Sequence, residues 1–236
     1  MEEVYNGSTD AYKNFTLRMV ISVSMQKLDS QYAGLADSYY LAALPYLDHA
    51  IKPMNLGTLQ CFALIAQYSM LTPTRTAAYW IVGLATKLCQ ELGFTEEDTI
   101  AHSSDGQALS VTDIDMRRRL YWVTLSMELG LAHSLGRPNS FGTTFDHIDV
   151  GFFSDVDDKY ITKHGIIPGS PSSIKKRVSL HFFKMRLCQL EIRQKLYLKR
   201  IEESLQLWFS SMDQKLKDWL SARPPTQEGS GLDGVW

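Results

Sequence analysis

From Asp113 to Val150 the chain reads DIDMRRRLYWVTLSMELGLAHSLGRPNSFGTTFDHIDV, and no other stretch restricts the fold as tightly. The pattern predicts a largely apolar helix running to about Leu135. Gly136 suits the left-handed position that closes a helix, and Pro138 prevents the helix from resuming. Near its start the helix carries Arg117, Arg118 and Arg119. Three consecutive helical positions span about 200° of helix surface. They cannot all face water if the helix is buried, and a buried guanidinium without a partner is prohibitive. At least one is therefore expected to be buried against a carboxylate. Asp113 and Asp115 lie near in sequence, while Asp146, Asp149 and Asp158 are candidates from the acidic loop, the expected source. Structural ion pairs with a solvated remainder account for the triplet. A phosphate or DNA site would need a longer basic cluster.

The rest of the chain is also helical in period. Tyr12, Phe15, Met19 and Val23 share one face, and Ser30 to Ile51 repeats the pattern with a bend expected at Pro45 and an end at Pro53. Leu56 to Leu71 is nearly all apolar, so burial on more than one side is expected. Thr72-Pro73-Thr74 breaks the chain, and Thr74 or Thr76 can cap a helix that reaches Leu92 and closes at Gly93. These two helices form an antiparallel hairpin. Residues 95–112 read as a polar surface loop, with Thr112 and Asp115 as a weak capping box for the arginine-bearing helix. Residues 137–171 form the longest non-helical stretch, acidic and rich in Gly and Pro. Ser170-Pro171-Ser172 offers the next helix start, and helices follow over about Ile174–Lys199 and Ile201–Leu220. The expected fold is all-α: an array of antiparallel helical hairpins with one long acidic irregular loop. Residues 1–222 read as a single helical domain and 223–236 as a Pro/Gly-rich linker or truncated end.

Composition narrows the function. The 236 residues carry 24 basic and 26 acidic side chains, a net charge of −2, which argues against electrostatic gripping of DNA by this chain. Cys61, Cys89 and Cys188 sit in separate apolar stretches with no CxxC pair, so no zinc site follows from spacing, and isolated cysteines suit a reducing compartment. The acidic, polar N-terminus is no secretory signal, and charges interrupt every long apolar stretch, so no membrane contact is expected.

Candidate chemistry is sparse. Asp155-Val156-Asp157-Asp158 is similar to the acidic metal motifs of terpene synthases, and a metal-dependent enzyme of isoprenoid type is the catalytic alternative. Those enzymes place the motif on a helix beside a second one. Here it lies in a loop and a second is missing. The histidines show no HxxxH, HExxH or HxH spacing, and no GxSxG, Walker or GxGxxG sequence occurs. No catalytic residue, metal ligand or cofactor site is assigned. An apolar ligand pocket between the helices over Ala77–Leu92 and Thr112–Leu135 is the remaining candidate, with Trp80, Tyr121, Trp122 and Met127 near it.

Several motifs carry a resemblance between about Tyr39 and Tyr197. Ala78-Tyr79-Trp80 through Gly83, Ala85, Leu88, Leu92 and Gly93 follow a helix of the form A-x-x-L-A-x-x-L-G-L. Asp115, Arg117, Arg118, Arg119, Tyr121 and Trp122 follow an acidic-Arg-Arg-Arg-x-Trp-Trp start, with Tyr121 replacing the first tryptophan. Gly136-Arg137-Pro138 is followed by an acidic loop at Asp149 and Asp158. In this order they resemble the middle regulatory region of fungal zinc-binuclear-cluster transcription factors. Departures are Gly151-Phe152-Phe153 where a proline often follows the Ile-Asp pair, and Met127-Glu128 where Asp-Arg often stands. The six-cysteine DNA-binding cluster is missing, so the chain reads as a fragment or truncated product, with zinc expected only in the absent cluster. The resemblance implies a non-catalytic nuclear regulatory domain in transcription. Its expected partners are other regions of a transcription factor, regulatory proteins, a small-molecule ligand or a second copy. A ligand-free scaffold or dimerisation module is the alternative among binding proteins.

Overall fold

The structure, a computed structural model, describes residues 2–5, 7–103, 105–142, 147–198 and 205–225. The expected linker lies outside the described residues from 226 on, and so does Asp146. The chain is predominantly α-helical and divides into two compact units. One comprises Met1–Ile100 and Arg117–Gly142, the other Ala101–Met116 and Thr143–Trp236.

The first unit begins with the short helix α1 (Glu2–Tyr5) and the long α2 (Ala11–Leu28). Asp10 starts α2 by accepting the Lys13 amide at 3.0 Å, which satisfies one of the open donors of the first turn. A 3-10 turn over Ser30–Tyr32 leads into α3 (Ala33–Ala43). Pro45 then sits in a second 3-10 turn, Leu44–Tyr46, before α4 (Leu47–Ile51), so the interruption falls where its missing N–H and its ring require one. Asn55 and Thr58 close a reciprocal capping box on α5 (Leu56–Leu71), which is followed by α6 (Ala78–Glu91) and the five-residue α7 (Glu97–Ala101).

The buried stripe of α2, Phe15, Met19 and Ser22, faces a layer in which α2 packs on α3 and α5, and α5 packs on α6. The Ser22 hydroxyl donates to the Ala36 carbonyl at 2.6 Å, so this buried polar group is satisfied across α2 and α3. Tyr40 of α3 and Tyr68 of α5 stack at 4.2 Å. In α5, Leu59, Cys61, Phe62, Ile65, Ala66 and Tyr68 are all buried, more than one face, as its apolar sequence predicts. In α6 the division is clean: Val82, Ala85, Thr86 and Cys89 are buried, while Trp80, Leu84, Lys87 and Glu91 form the exposed stripe.

Helix α8 (Val111–Ser134) bears the arginine triplet. From Leu120 to Leu129 every residue except Val123 and Met127 is buried, so this part is enclosed around its circumference. It ends as the sequence predicts. Gly136 takes φ +63°, its amide donates to the His133 carbonyl at 3.3 Å, and the Arg137 amide donates to Ala132 at 2.9 Å. Gly93 closes α6 in the same way, with φ +72° and the Phe94 amide reaching back to Cys89 at 3.0 Å. Both are double-hydrogen-bonded helix stops that need a left-handed residue.

The second unit holds the first turn of α8, a 3-10 turn at Asp158–Tyr160, and a two-stranded hairpin of β1 (Ile161–Thr162) and β2 (Gly165–Ile166). Then come α9 (Ile174–Arg193), a π-helical turn over Gln194–Leu198, and α10 (Leu205–Ser221). Phe153, Val156, Ile161, Phe183, Leu190 and Met212 form its apolar core, with Phe153 and Phe183 edge to face at 6.0 Å.

Four local expectations are corrected. Residues 95–112 are not all loop, since α7 lies within them. The cap of α8 is Ser110, whose hydroxyl accepts the Asp113 amide at 3.2 Å and donates to the Asp113 carboxylate at 2.6 Å. The expected capping box at Thr112 and Asp115 is thus two residues out of register, and Asp115 is buried for another purpose. Neither Thr74 nor Thr76 caps α6, which starts after Ala77 without a side-chain cap. Finally, Ser170-Pro171-Ser172 does not form the first turn of α9, which runs from Ile174 as the periodicity predicts, because residues 172–173 are committed elsewhere. Ser172 and Val156 form a β-bridge, and the Ser173 amide donates to the Asp155 carbonyl at 2.6 Å.

The two helix stops predict unequal costs for the same substitution. At Gly136 an added Cβ meets open space, so Gly136→Ala is expected to cost about 1 kcal/mol, the conformational penalty alone. At Gly93 the Cβ would lie 2.4 Å from the Thr99 methyl. Gly93→Ala should therefore lower the thermal midpoint further, and adding Thr99→Ser should recover part of the loss. Equal midpoints for the two alanine variants would contradict this.

Candidate functional site

Helix α8 carries charged side chains into buried and half-buried positions, where Arg117, Arg118, Asp115 and Glu128 each find a partner. Arg118 forms a forked ion pair with Glu97 of α7, with its Nε 3.0 Å from Oε1. The side chains are 31% and 29% exposed, so the pair is half-buried. Arg117 donates from Nη1 to the Thr99 carbonyl at 3.0 Å, and its guanidinium lies over the Phe94 ring. All three arginines are half-buried; none is fully enclosed. For Arg118 the carboxylate comes from α7, not from the acidic loop. The acidic residues of TEED were the available signal, because carboxylates favour the positive N-terminal end of a helix.

The fully buried carboxylate of α8 is Glu128. Its Oε1 accepts the backbone amide of Ser140 at 2.7 Å. Ser140 lies just beyond Gly136-Arg137-Pro138, and the same residue's carbonyl accepts from Gln90 of α6 at 3.4 Å. Arg137 extends over the Tyr79 ring of α6, its guanidinium carbon 4.6 Å from the centroid. The Gly-Arg-Pro segment is thus clasped between α6 and α8 by a helix stop, a cation–π contact and two hydrogen bonds. Pro138 itself is exposed and serves to stop the helix. Sequence reasoning singled out Gly136, Arg137 and Pro138 but gave Glu128 no role. Its signal was a lone acid within an apolar helix.

In the second unit Asp115 performs the equivalent task. It is 5% exposed, and its Oδ1 accepts the Ser154 amide at 2.7 Å. Lys176 of α9 stands 4.0 Å from Asp115 and 2.9 Å from Asp158, so Asp158 of the acidic loop is tied down by a lysine. Asp149 is exposed.

The four candidate pocket residues differ in burial. Tyr121 and Trp122 are each 2% exposed and meet edge to face at 5.4 Å, and Tyr121 also contacts Phe141 at 5.9 Å. Met127 is half-buried, whereas Trp80 is 73% exposed on the outer stripe of α6. A cavity of about 750 Å³ lies instead in the second unit, among α9, α10 and the segment Phe153–Asp155.

Cysteine and histidine chemistry follows burial. Burial pushes the Cys61 thiol up to about 11 and the Cys89 thiol up to about 12, so both remain protonated and act as small apolar side chains. Among the described residues no group of three His, Cys, Asp or Glu is placed to hold a metal ion. Among the same residues no helix is long and apolar enough to cross a membrane.

The family profile of the fungal specific transcription factor domain matches residues 3–221. The chain belongs to this family. It is similar to a positive regulator of purine utilization from Emericella nidulans, at 28% identity over 82% of this chain and 24% of that protein. It is also similar to pyrimidine pathway regulatory protein 1 of Saccharomyces cerevisiae, at 25% identity over 89% of this chain and 24% of the other. A negative regulator of pleiotropic drug resistance from Candida glabrata shares 30% identity over 48% of the chain and 10% of its own length. The chain thus spans about a quarter of the first and second of these regulators. No solved structure matches it.

The half-buried geometry of Arg118 and Glu97 sets a modest energy. Arg118→Ala and Glu97→Ala should each cost about 0.5–1 kcal/mol, with a coupling below about 1 kcal/mol in a double-mutant cycle, because solvent screens the pair. A coupling of about 3 kcal/mol or more would show that the pair behaves as a buried one.

Proposed function

We propose that this chain is a non-catalytic regulatory region of a fungal transcription regulator. It acts in the nucleus through contacts with other parts of that regulator, with regulatory proteins or with a small molecule. The family match over residues 3–221 carries the reading. The relatives support it, being named for the control of purine use, the pyrimidine pathway and stress genes. Zinc belongs, on this reading, to a separate DNA-binding cluster of the regulator, and this chain takes no cofactor. Regulation by such a region requires two states of different affinity for whatever it contacts, since equal affinity shifts no equilibrium.

The net charge of −2 supports a division of labour in which this region leaves DNA contact to another part of the protein. The test is a reporter assay. The chain is placed between a heterologous DNA-binding domain and an activation segment and compared with an inert linker of equal length. Reporter output should change severalfold, in a direction set by nutrient supply. Output equal to that of the linker under every nutrient condition would overturn the reading. So would a sequence-selective, salt-dependent DNA complex of the isolated chain tighter than about micromolar.

A further inference from the structure

The cavity of the second unit is unlike the rest of the molecule in its balance of satisfied and open charge. Its volume of about 750 Å³ falls in the range of small-molecule sites. The acids on its wall are engaged. Asp155 accepts the Ser172 hydroxyl at 2.8 Å, Glu191 pairs with Lys215 at 2.9 Å, and Asp218 accepts from Gln214 at 2.8 Å. Of the three cations on the wall, Lys215 is paired with Glu191, Lys184 lies over the Phe152 ring, and two have no carboxylate partner among the described residues. Arg177 and Lys184, seven residues apart on α9 and so on one face, are exposed, and neither has a carboxylate within ion-pair distance among the described residues.

Between them on the same face lies His181, buried, with its ring stacked on the Trp219 indole at 4.3 Å and 15°. The indole Nε1 donates to the His181 carbonyl at 2.8 Å, which fixes the plane of the indole. Burial, and then the positive charges of Lys184 and Arg223, push His181 below the ordinary histidine value of 6.5. The shift favours the neutral ring, and the charged groups acting on it are cations.

We infer that this cavity is a binding site for a small planar anion, an aromatic or heteroaromatic ring bearing a carboxylate, sulfonate or phosphate. The ring would lie against the fixed indole of Trp219, and the anionic group would be held by Arg177 and Lys184. Arg177 suits a forked anionic group because its donors are arranged as a planar fork, and Lys184 adds a point charge. The indole supplies the aromatic wall against which a planar ring can stack. As a sensor this site rests on the regulatory reading above; as a binding site it rests on geometry alone.

The experiment uses the full chain and three probes of one shape: naphthalene-2-carboxylate, its neutral amide and the cationic naphthylmethylammonium. Calorimetry should show one saturable site for the carboxylate, at least about tenfold tighter than for the amide or the cation. The Trp219 indole NH resonance should move on binding. Arg177→Gln and Lys184→Gln should each weaken the carboxylate severalfold and leave the thermal midpoint unchanged, because both side chains are exposed. Arg177→Lys should recover part of the loss. Equal binding of the three probes, binding that survives the double Gln variant, a stationary Trp219 signal, or no binding of the carboxylate by the natively folded chain would each overturn the site. The double Gln variant then enters the reporter assay. A domain that controls the reporter but binds no anion leaves the regulatory reading standing and removes this site. Anion binding with no effect on any reporter keeps the site and removes the regulatory reading.

Discussion

A helix enclosed around its circumference can hold a carboxylate only if something donates to it, and α8 depends on meeting that requirement. Glu128 is fully buried, and a buried charge without a partner costs several kcal/mol. Its donor is the Ser140 amide, a backbone group in the loop that follows the Gly-Arg-Pro stop. The Ser140 amide satisfies Oε1 of Glu128, while Oε2 is buried with no hydrogen-bond partner among the described residues. Asp115 and the Ser154 amide repeat the solution in the second unit, with Lys176 supplying charge nearby. In both cases a carboxyl group of α8 adds a side-chain hydrogen bond to the loop's backbone, beside the contacts that the loop already makes.

The Gly-Arg-Pro segment and the acid-bearing helix start are accounted for here by the backbone they hold. Gly136 supplies the conformation, Arg137 reaches Tyr79, and Asp115 and Arg117 each satisfy backbone groups of an adjoining segment. They are positioning residues for loops. The family membership gives these loops a regulatory context, and the open cations Arg177 and Lys184 beside Trp219 give the second unit a chemical preference of its own.

Much of this was legible in the sequence, for physical reasons. Helical period, the bend at Pro45, the nearly all-apolar α5 and the stops at Gly93 and Gly136 follow from local rules that tertiary packing did not override. That Ser170-Pro171-Ser172 stays outside α9 was less legible, because Ser172 and Ser173 are held by Asp155 seventeen and eighteen residues earlier in the chain, a contact that local patterns do not encode. The partner of Arg118 was missed because a five-residue helix leaves almost no periodic signal. Trp80, grouped in the sequence with Tyr121 and Trp122, is exposed where those two are buried. Trp80 falls on the stripe of α6 shared by Lys87 and Glu91, and those charges marked the outer face. The cavity with His181 and Trp219 joins two helices across a stretch of chain, and neither helix alone shows it.

The buried carboxyl groups of α8 hold two loops by their backbone amides. Amide hydrogen exchange, read residue by residue by NMR, tests this most directly. In the native chain the Ser140 and Ser154 amides should exchange far more slowly than exposed loop amides. Glu128→Ala should release protection at Ser140 and leave Ser154 protected, and Asp115→Ala should do the reverse. Exchange of both amides at the rate of an open chain in the native protein would contradict the account.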